Sequence, residues 1–173
     1  MIEVITGPMF AGKTEELIRR LRRVELAKVS FQAFKPAMDV RYATDAIVSH
    51  DARRIPVHSV LDVVEVAQTV GPETQVIGID EAQFFDAGLA TLAENLANEG
   101  RRVIIAGLDL HASGRPFGHM PELLAVADHV TKLTAICARC GAEASRSKRI
   151  VEGTDLLVGG REAYEARCRR CWT

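Results

Sequence analysis

The sequence predicts an α/β fold: a mostly parallel sheet with helices on both faces, followed by a small appended module. Two observations carry that expectation. Short apolar runs alternate with amphipathic segments from Met1 to Ala135, and such alternation implies right-handed crossovers between parallel strands. From Ile136 onward that rhythm gives way to cysteine pairs, Gly153, Gly159-Gly160 and charges. The expected organisation is therefore a main unit over residues 1–135 and a module over residues 136–173.

The elements follow in order. Ile2-Glu3-Val4-Ile5-Thr6 alternates and is β-branched, so it reads as a strand running into a turn at Gly7. A helix is expected from about Lys13 to Ala27, because Leu17, Leu21 and Val24 recur at helical spacing while Arg19, Arg20, Arg22 and Arg23 occupy other faces. Phe31 to Phe34 is a short strand stopped by Pro36. Ser59 to Val70 reads as a helix with Ser59 and Asp62 in a capping box, Val60, Leu61 and Val64 facing inward, and Gly71-Pro72 ending it. Gln75 to Ile79 and Val103 to Ala106 are short apolar runs of the kind buried on both faces of a parallel sheet. Between them, Ala87 to Glu99 is helical through Leu89, Leu92, Ala93 and Leu96, with Gly100 after the cap. Pro121 suits the first turn of a helix over Glu122 to Ala127, and His129 to Ile136 is expected to be the last strand of the main sheet.

Composition narrows the function classes. The 173 residues include 22 basic and 23 acidic side chains, 47% hydrophobic residues and 26% charged ones, a balance that closes a core and excludes wholesale disorder. A net charge of −1 argues against a broad nucleic-acid footprint, and aromatics at 5% leave few rings for base stacking. No stretch approaches the roughly 18–20 apolar residues of a membrane span. Met1 to Phe10 lacks the pattern of a signal peptide, so a cytoplasmic location and small-molecule partners are expected.

Gly7-Pro8-Met9-Phe10-Ala11-Gly12-Lys13-Thr14 fits G-x-x-x-x-G-K-[ST], with a predicted strand before it and a predicted helix after it. Glycines at both ends let several amides turn toward a phosphate. The helix adds its N-terminal dipole, Lys13 a cation and Thr14 a hydroxyl for Mg²⁺. Phosphate-bound Mg²⁺ also calls for a carboxylate at the end of a neighbouring strand, and Asp80 follows Ile79 directly. Glu81 comes next, near the terminal phosphate, where a carboxylate can deprotonate an attacking hydroxyl. The same pair serves ATPases that activate water, so it identifies nucleotide chemistry and leaves the acceptor open.

Cys137-x-x-Cys140 and Cys168-x-x-Cys171 are two knuckles able to form a tetrahedral thiolate site for a structural Zn²⁺. A redox pair is the rival reading, and two pairs favour metal. Arg146, Lys148, Arg149, Arg167, Arg169 and Arg170 lie nearby, but only Tyr164 and Trp172 accompany them as rings, so they read as solvated faces or phosphate contacts.

Together these residues resemble the small, zinc-containing thymidine kinases of bacteria and animal cytosol. The likeness runs through the phosphate loop, Asp39-Val40-Arg41-Tyr42, Ser49-His50-Asp51, Ile79-Asp80-Glu81-Ala82-Gln83-Phe84, Gly107-Leu108-Asp109, Arg115-Pro116-Phe117-Gly118, Lys132-Leu133-Thr134-Ala135, both cysteine pairs and Gly159-Gly160 before Tyr164. It implies a P-loop, RecA-like sheet with a zinc ribbon carrying a lid, and transfer of the γ-phosphoryl of MgATP to the 5′-hydroxyl of thymidine or deoxyuridine. Carried over by position, Glu81 is the base, and Gly7 to Thr14 with Asp80, Glu81, Ala82 and Gln83 bind ATP. Thr14, Asp39, Arg41 and Asp80 lie near the phosphoryl group and Mg²⁺. Met9, Phe84, Leu108, Phe117, Ser147, Leu157, Val158 and Tyr164 form the thymidine site. The segment from about Ser147 to Tyr164 corresponds to the lid, with backbone groups of Leu157 and Val158 on the base. The resemblance also implies a homotetramer and feedback inhibition by dTTP. Two departures stand out: His111-Ala112-Ser113-Gly114 replaces an Asp-Phe-Arg-Gly-like stretch, and Ser147 stands where some relatives place Thr against the thymine methyl.

Two other classes remain on the residues alone. One is a small ATPase or nucleotide-dependent switch, although no Asn-Lys-x-Asp guanine reader occurs. The other is a zinc-ribbon nucleic-acid binder, disfavoured by the net charge.

Overall fold

The computed structural model of the chain describes residues 1–37, 46–48, 54–151, 160 and 162–173. Asp39, Arg41, Leu157 and Val158, with Ser49-His50-Asp51, lie outside the described residues. In chain order the strands are β1 (Ile2–Thr6), β2 (Phe31–Pro36), β3 (Ala46–Val48), β4 (Arg54–Pro56), β5 (His58–Val60), β6 (Val76–Ile79), β7 (Arg102–Gly107), β8 (His129–Lys132), β9 (Ala135–Ile136), β10 (Glu143–Ala144), β11 (Arg146–Arg149) and β12 (Tyr164–Arg167). The helices are α1 (Lys13–Leu26), α2 (Val63–Thr69), α3 (Gly88–Asn98), α4 (Met120–Val126) and α5 (Arg169–Trp172).

Six strands form one all-parallel sheet in the order β5-β2-β6-β7-β1-β8. The expected α/β architecture is thus the observed one. On one face, Leu17, Ile18, Leu21 and Val24 of α1 pack on Ile5, Ala33, Val76 and Ile104. On the other, Val63 and Val66 of α2, Leu89, Ala93 and Leu96 of α3 and Leu123 of α4 cover Val4, Phe34, Ile77, Val103 and Ile105. Three antiparallel pairs, β3-β4, β9-β10 and β11-β12, stand apart from this sheet. Among the described residues no helix is long and apolar enough to cross a membrane.

Three expectations change at the element level. Ser59 and Val60 belong to β5, paired in parallel with Lys35 and Pro36, so α2 starts later than the sequence suggests. Its cap is Asp62, which accepts from the Glu65 amide at 2.9 Å, while Glu65 Oε2 accepts from the Leu61 amide at 2.6 Å. The shift rotates the buried stripe onto Val63 and Val66 and leaves Leu61 82% and Val64 61% exposed; Val60 is buried as expected. The last strand of the main sheet ends at Lys132. Leu133 still donates its amide to Thr6, but Ala135–Ile136 turns away to pair with β10, and Ala135 is buried among the cysteine-cluster residues. Finally, the arginines of α1 are not all peripheral. Arg20 reaches Glu3 in β1 at 2.6 Å, and Arg102 reaches the same carboxylate at 2.6 Å. Burial alone would raise the Glu3 carboxyl, but these two guanidinium groups outweigh it and hold the group below the usual carboxylate range.

Candidate active site

The C-terminal end of β1 opens into the glycine loop, and the neighbouring strands fix its shape. Thr6 pairs with Gly107 on one side and Lys132 on the other. Gly7 adopts φ 140°, and a Cβ built there would lie 2.4 Å from the Leu133 carbonyl oxygen, so no side chain fits where the loop leaves the sheet. Phe10 has φ 66°, and Gly12, at φ 82°, is the residue before α1. The first turn of α1 starts at Lys13, so its free amides and dipole face the loop. Lys13 folds back and donates from Nζ to the Pro8 carbonyl oxygen at 2.7 Å. Burial pulls its ammonium below the ordinary lysine range, and Glu81, Asp80 and Asp109 act in the opposite direction.

β6 delivers the carboxylates. Thr14 Oγ1 donates to Asp80 Oδ2 at 3.0 Å, joining the loop's hydroxyl to the strand-end acid. Burial first and Glu81 second push the Asp80 carboxyl up to about 7. A buried acid beside a second acid and a hydroxyl is a donor set suited to a divalent cation, whose charge would hold it ionised. Glu81 has left-handed backbone, φ 53°, unusual for a residue with a Cβ and typical of sites where surrounding contacts impose it. Its amide donates to Asp80 Oδ1 at 3.0 Å, and its Oε2 accepts from Gln83 Nε2 at 2.5 Å. Gln83 in turn accepts the Leu108 amide at 2.9 Å through Oε1. A buried glutamine thereby fixes the acid relative to the end of β7. The sequence places Gln83 with the ATP-binding residues, but the clamp it forms between Glu81 and the Leu108 amide is not legible there.

The residues assigned to the nucleoside fall into two groups. Phe84 and Phe117 meet edge to face with centroids 5.7 Å apart, and His111 packs edge to face on Phe117 at 5.1 Å, so the His111-Ala112-Ser113 stretch buttresses Phe117. Leu108 is held by its amide to Gln83, the residue before Phe84. Met9 lies instead beside Ser147 on β11, whose Oγ accepts the Met9 amide at 2.9 Å. Tyr164 is buried on β12, opposite Arg149. A further ion pair joins Lys132 Nζ to Asp109 Oδ2 at 2.7 Å, with Asp109 buried. Both residues stand in motifs quoted above, but nothing in their spacing signals that they meet across the end of β1.

The four cysteines converge. Their Sγ atoms all lie within 4.8 Å of one another, and Cys140 and Cys168 are 3.7 Å apart. Tetrahedral Zn–S bonds of about 2.3 Å imply sulfur separations of about 3.8 Å, so the cluster fits a zinc module. Both knuckles are closed by backbone bonds, Gly141 N–H to the Cys137 carbonyl and Cys171 N–H to the Cys168 carbonyl. The Cys168 amide and then its neighbours Arg139 and Cys140 draw the Cys137 thiol down to about 6, against the effect of burial. The surrounding sulfurs push Cys171 up to about 11. Lacking a cation, four thiols in contact cannot all ionise; with one, all four can.

A family model described as thymidine kinase matches residues 1–172. The chain belongs to the thymidine kinase family. A thymidine kinase of Bdellovibrio bacteriovorus is 52% identical to it over 170 residues, covering 98% of this chain and 83% of the relative. Within the family, the four clustered cysteines fit its zinc-type bacterial class.

Proposed function

We propose that this thymidine kinase transfers the γ-phosphoryl group of ATP to the 5′-hydroxyl of thymidine, or of deoxyuridine, giving the nucleoside 5′-monophosphate and ADP. The observation that carries the reading is the Thr14–Asp80 contact at the head of a glycine loop, with Glu81 clamped by Gln83 beside it. Amides of Gly7 to Thr14 and the Lys13 ammonium bind the phosphates. Asp80 and Thr14 would hold Mg²⁺, which when bound neutralises charge on the phosphates. Glu81 takes the proton from the 5′-hydroxyl; the freed oxygen bonds to the γ-phosphorus as the bond to the β-phosphate oxygen breaks, and ADP leaves.

Asp39 and Arg41 complete the phosphoryl site in this proposal. Met9, Phe84, Leu108, Phe117, Ser147 and Tyr164 enclose the nucleoside, and backbone groups of Leu157 and Val158 read the edge of the base. An apolar slot accepts the thymine methyl, whereas buried amides reject bases lacking the matching edge. The four cysteines hold structural Zn²⁺ in a module over residues 136–173, set beside a nucleotide-binding unit over residues 1–135. A cytoplasmic location, a homotetramer and inhibition by dTTP complete the proposal, supported by the family resemblance. A coupled ADP-release assay tests the activity. Thymidine-dependent turnover is expected; turnover independent of thymidine would indicate an ATPase, and absence of turnover with salt-sensitive DNA binding a nucleic-acid binder.

A further inference from the structure

The phosphate loop is attached to the cysteine module at two levels. Phe10 and Ala11 pack against the cluster of Ala135, Cys137, Ala144, Ala166 and Cys171. Beside them the Met9 amide donates to Ser147 Oγ at 2.9 Å, and Ser147 is only 3% exposed. The backbone of Ser147 is itself anchored, because its carbonyl accepts Trp172 Nε1 at 3.1 Å. Trp172 closes the turn that Cys168 and Cys171 form, its amide donating to the Cys168 carbonyl at 3.0 Å. Three neighbours hold the indole and its backbone. The Arg146 guanidinium lies 5.0 Å from the ring centroid, Lys148 Nζ donates to the Trp172 carbonyl at 2.8 Å, and a Cβ on Gly114 would lie 2.6 Å from Trp172 Cη2. Gly114 has φ 81°, so both its backbone and this contact exclude a side chain.

We propose that Ser147 is a positioning residue for phosphoryl transfer: its hydroxyl fixes the Met9 amide, and Trp172 ties that hydroxyl to the metal-held turn, so the cysteine module shapes the phosphate loop. The physical basis is the cost of a loose loop. Amides that must encircle phosphate bind it best when they are already in place, and ordering them at binding weakens affinity. A serine hydroxyl is a suitable anchor because it accepts one amide without adding charge beside the phosphates. The proposal rests on the kinase reading for its catalytic consequence but not for the coupling itself.

The test uses the full-length, metal-loaded protein. Amide hydrogen exchange is followed without substrate at Met9 and at Ile5 in β1, for wild type, Ser147→Ala, Trp172→Phe and the double variant. Phe keeps a ring against Arg146 and Gly114 but lacks the Nε1 donor. Metal content is measured on each. Expected is exchange at Met9 about tenfold faster in Ser147→Ala with full metal and unchanged Ile5. Trp172→Phe should act in the same direction, and the double variant should fall short of the product of the two, as for groups in one relay. Removing the metal from wild type with a chelator should also speed Met9. In turnover at saturating thymidine, Ser147→Ala should raise KM for ATP about three- to tenfold. Unchanged exchange at Met9 in Ser147→Ala, or equal acceleration at Met9 and Ile5, overturns the proposal; insensitivity of Met9 to the chelator overturns its metal-dependent half. Exchange needs no substrate, so absence of thymidine-dependent turnover would sink the kinase reading and leave this result standing.

Discussion

Thr14 Oγ1 and Asp80 Oδ2 stand 3.0 Å apart, which places the last residue of the glycine loop in direct hydrogen-bond contact with the acid at the end of β6. The pair is the point at which the glycine loop and the carboxylate-bearing end of β6 meet. Thr14→Val removes the hydroxyl while conserving shape. Under the proposed reading it lowers kcat/KM for ATP by about tenfold or more at limiting Mg²⁺, because a ligand of the ion is lost. A Mg²⁺ titration of initial rate checks this; an unchanged half-saturation point would remove Thr14 from the metal site.

The raised Asp80 carboxyl makes nucleotide-free stability fall with pH. Its ordinary value is 3.8, and in the fold it is pushed up to about 7. Between those values the folded protein keeps a proton that the unfolded chain has released. The stabilisation is therefore complete below pH 3.8 and lost as pH rises through about 7. Asp80→Asn abolishes this slope. Melting temperatures of the two proteins measured between about pH 5 and pH 8 should diverge in favour of the variant as pH rises, whereas a gap independent of pH would contradict the shift.

Lys132→Met leaves the buried Asp109 carboxylate without its ion-pair partner. Because Lys132 is itself 58% exposed on its side chain, the expected cost is about 1–2 kcal/mol, below that of a fully buried pair. Adding Asp109→Asn should recover part of it, since the uncompensated charge is then gone. Urea melts of both single variants and the double variant supply the cycle. Simple additivity would mean that the contact contributes no coupling.

Much of the site could be read from the chain before the structure. The glycine loop was legible because its residue types are dictated by backbone geometry and charge, and α1 and α3 because Leu17, Leu21, Leu89 and Leu96 repeat at helical spacing. The start of α2 was not. Val60, Leu61, Val63, Val64 and Val66 are all apolar, so period alone leaves the buried face open, and pairing of β5 with β2 decides it. Arg20 looks like a surface arginine because a charge on a helix normally is, and the buried Glu3 of β1, with the Thr131 hydroxyl of β8, draws it inward. Gln83, Lys132 and Trp172 do their work through contacts distant in sequence, which spacing does not encode.

Under the proposed zinc site, Cys168→Ser should bind less metal and destabilise the region around the cysteines, because three thiolates leave the site open and a small module depends on its ion for its fold. Metal analysis of the purified variant, with thermal melting, is the check. Full metal content and wild-type melting would mean that the four-thiolate site is wrong.

Glu81→Gln tests the central claim most directly, since it keeps the size and much of the hydrogen bonding of the side chain and removes only its basicity. Steady-state kinetics with thymidine, paired with ATP binding to the same variant, should give kcat lower by about 10²-fold or more and nucleotide affinity close to wild type. A variant that turns over thymidine at the wild-type rate would show that some other group takes the proton from the 5′-hydroxyl.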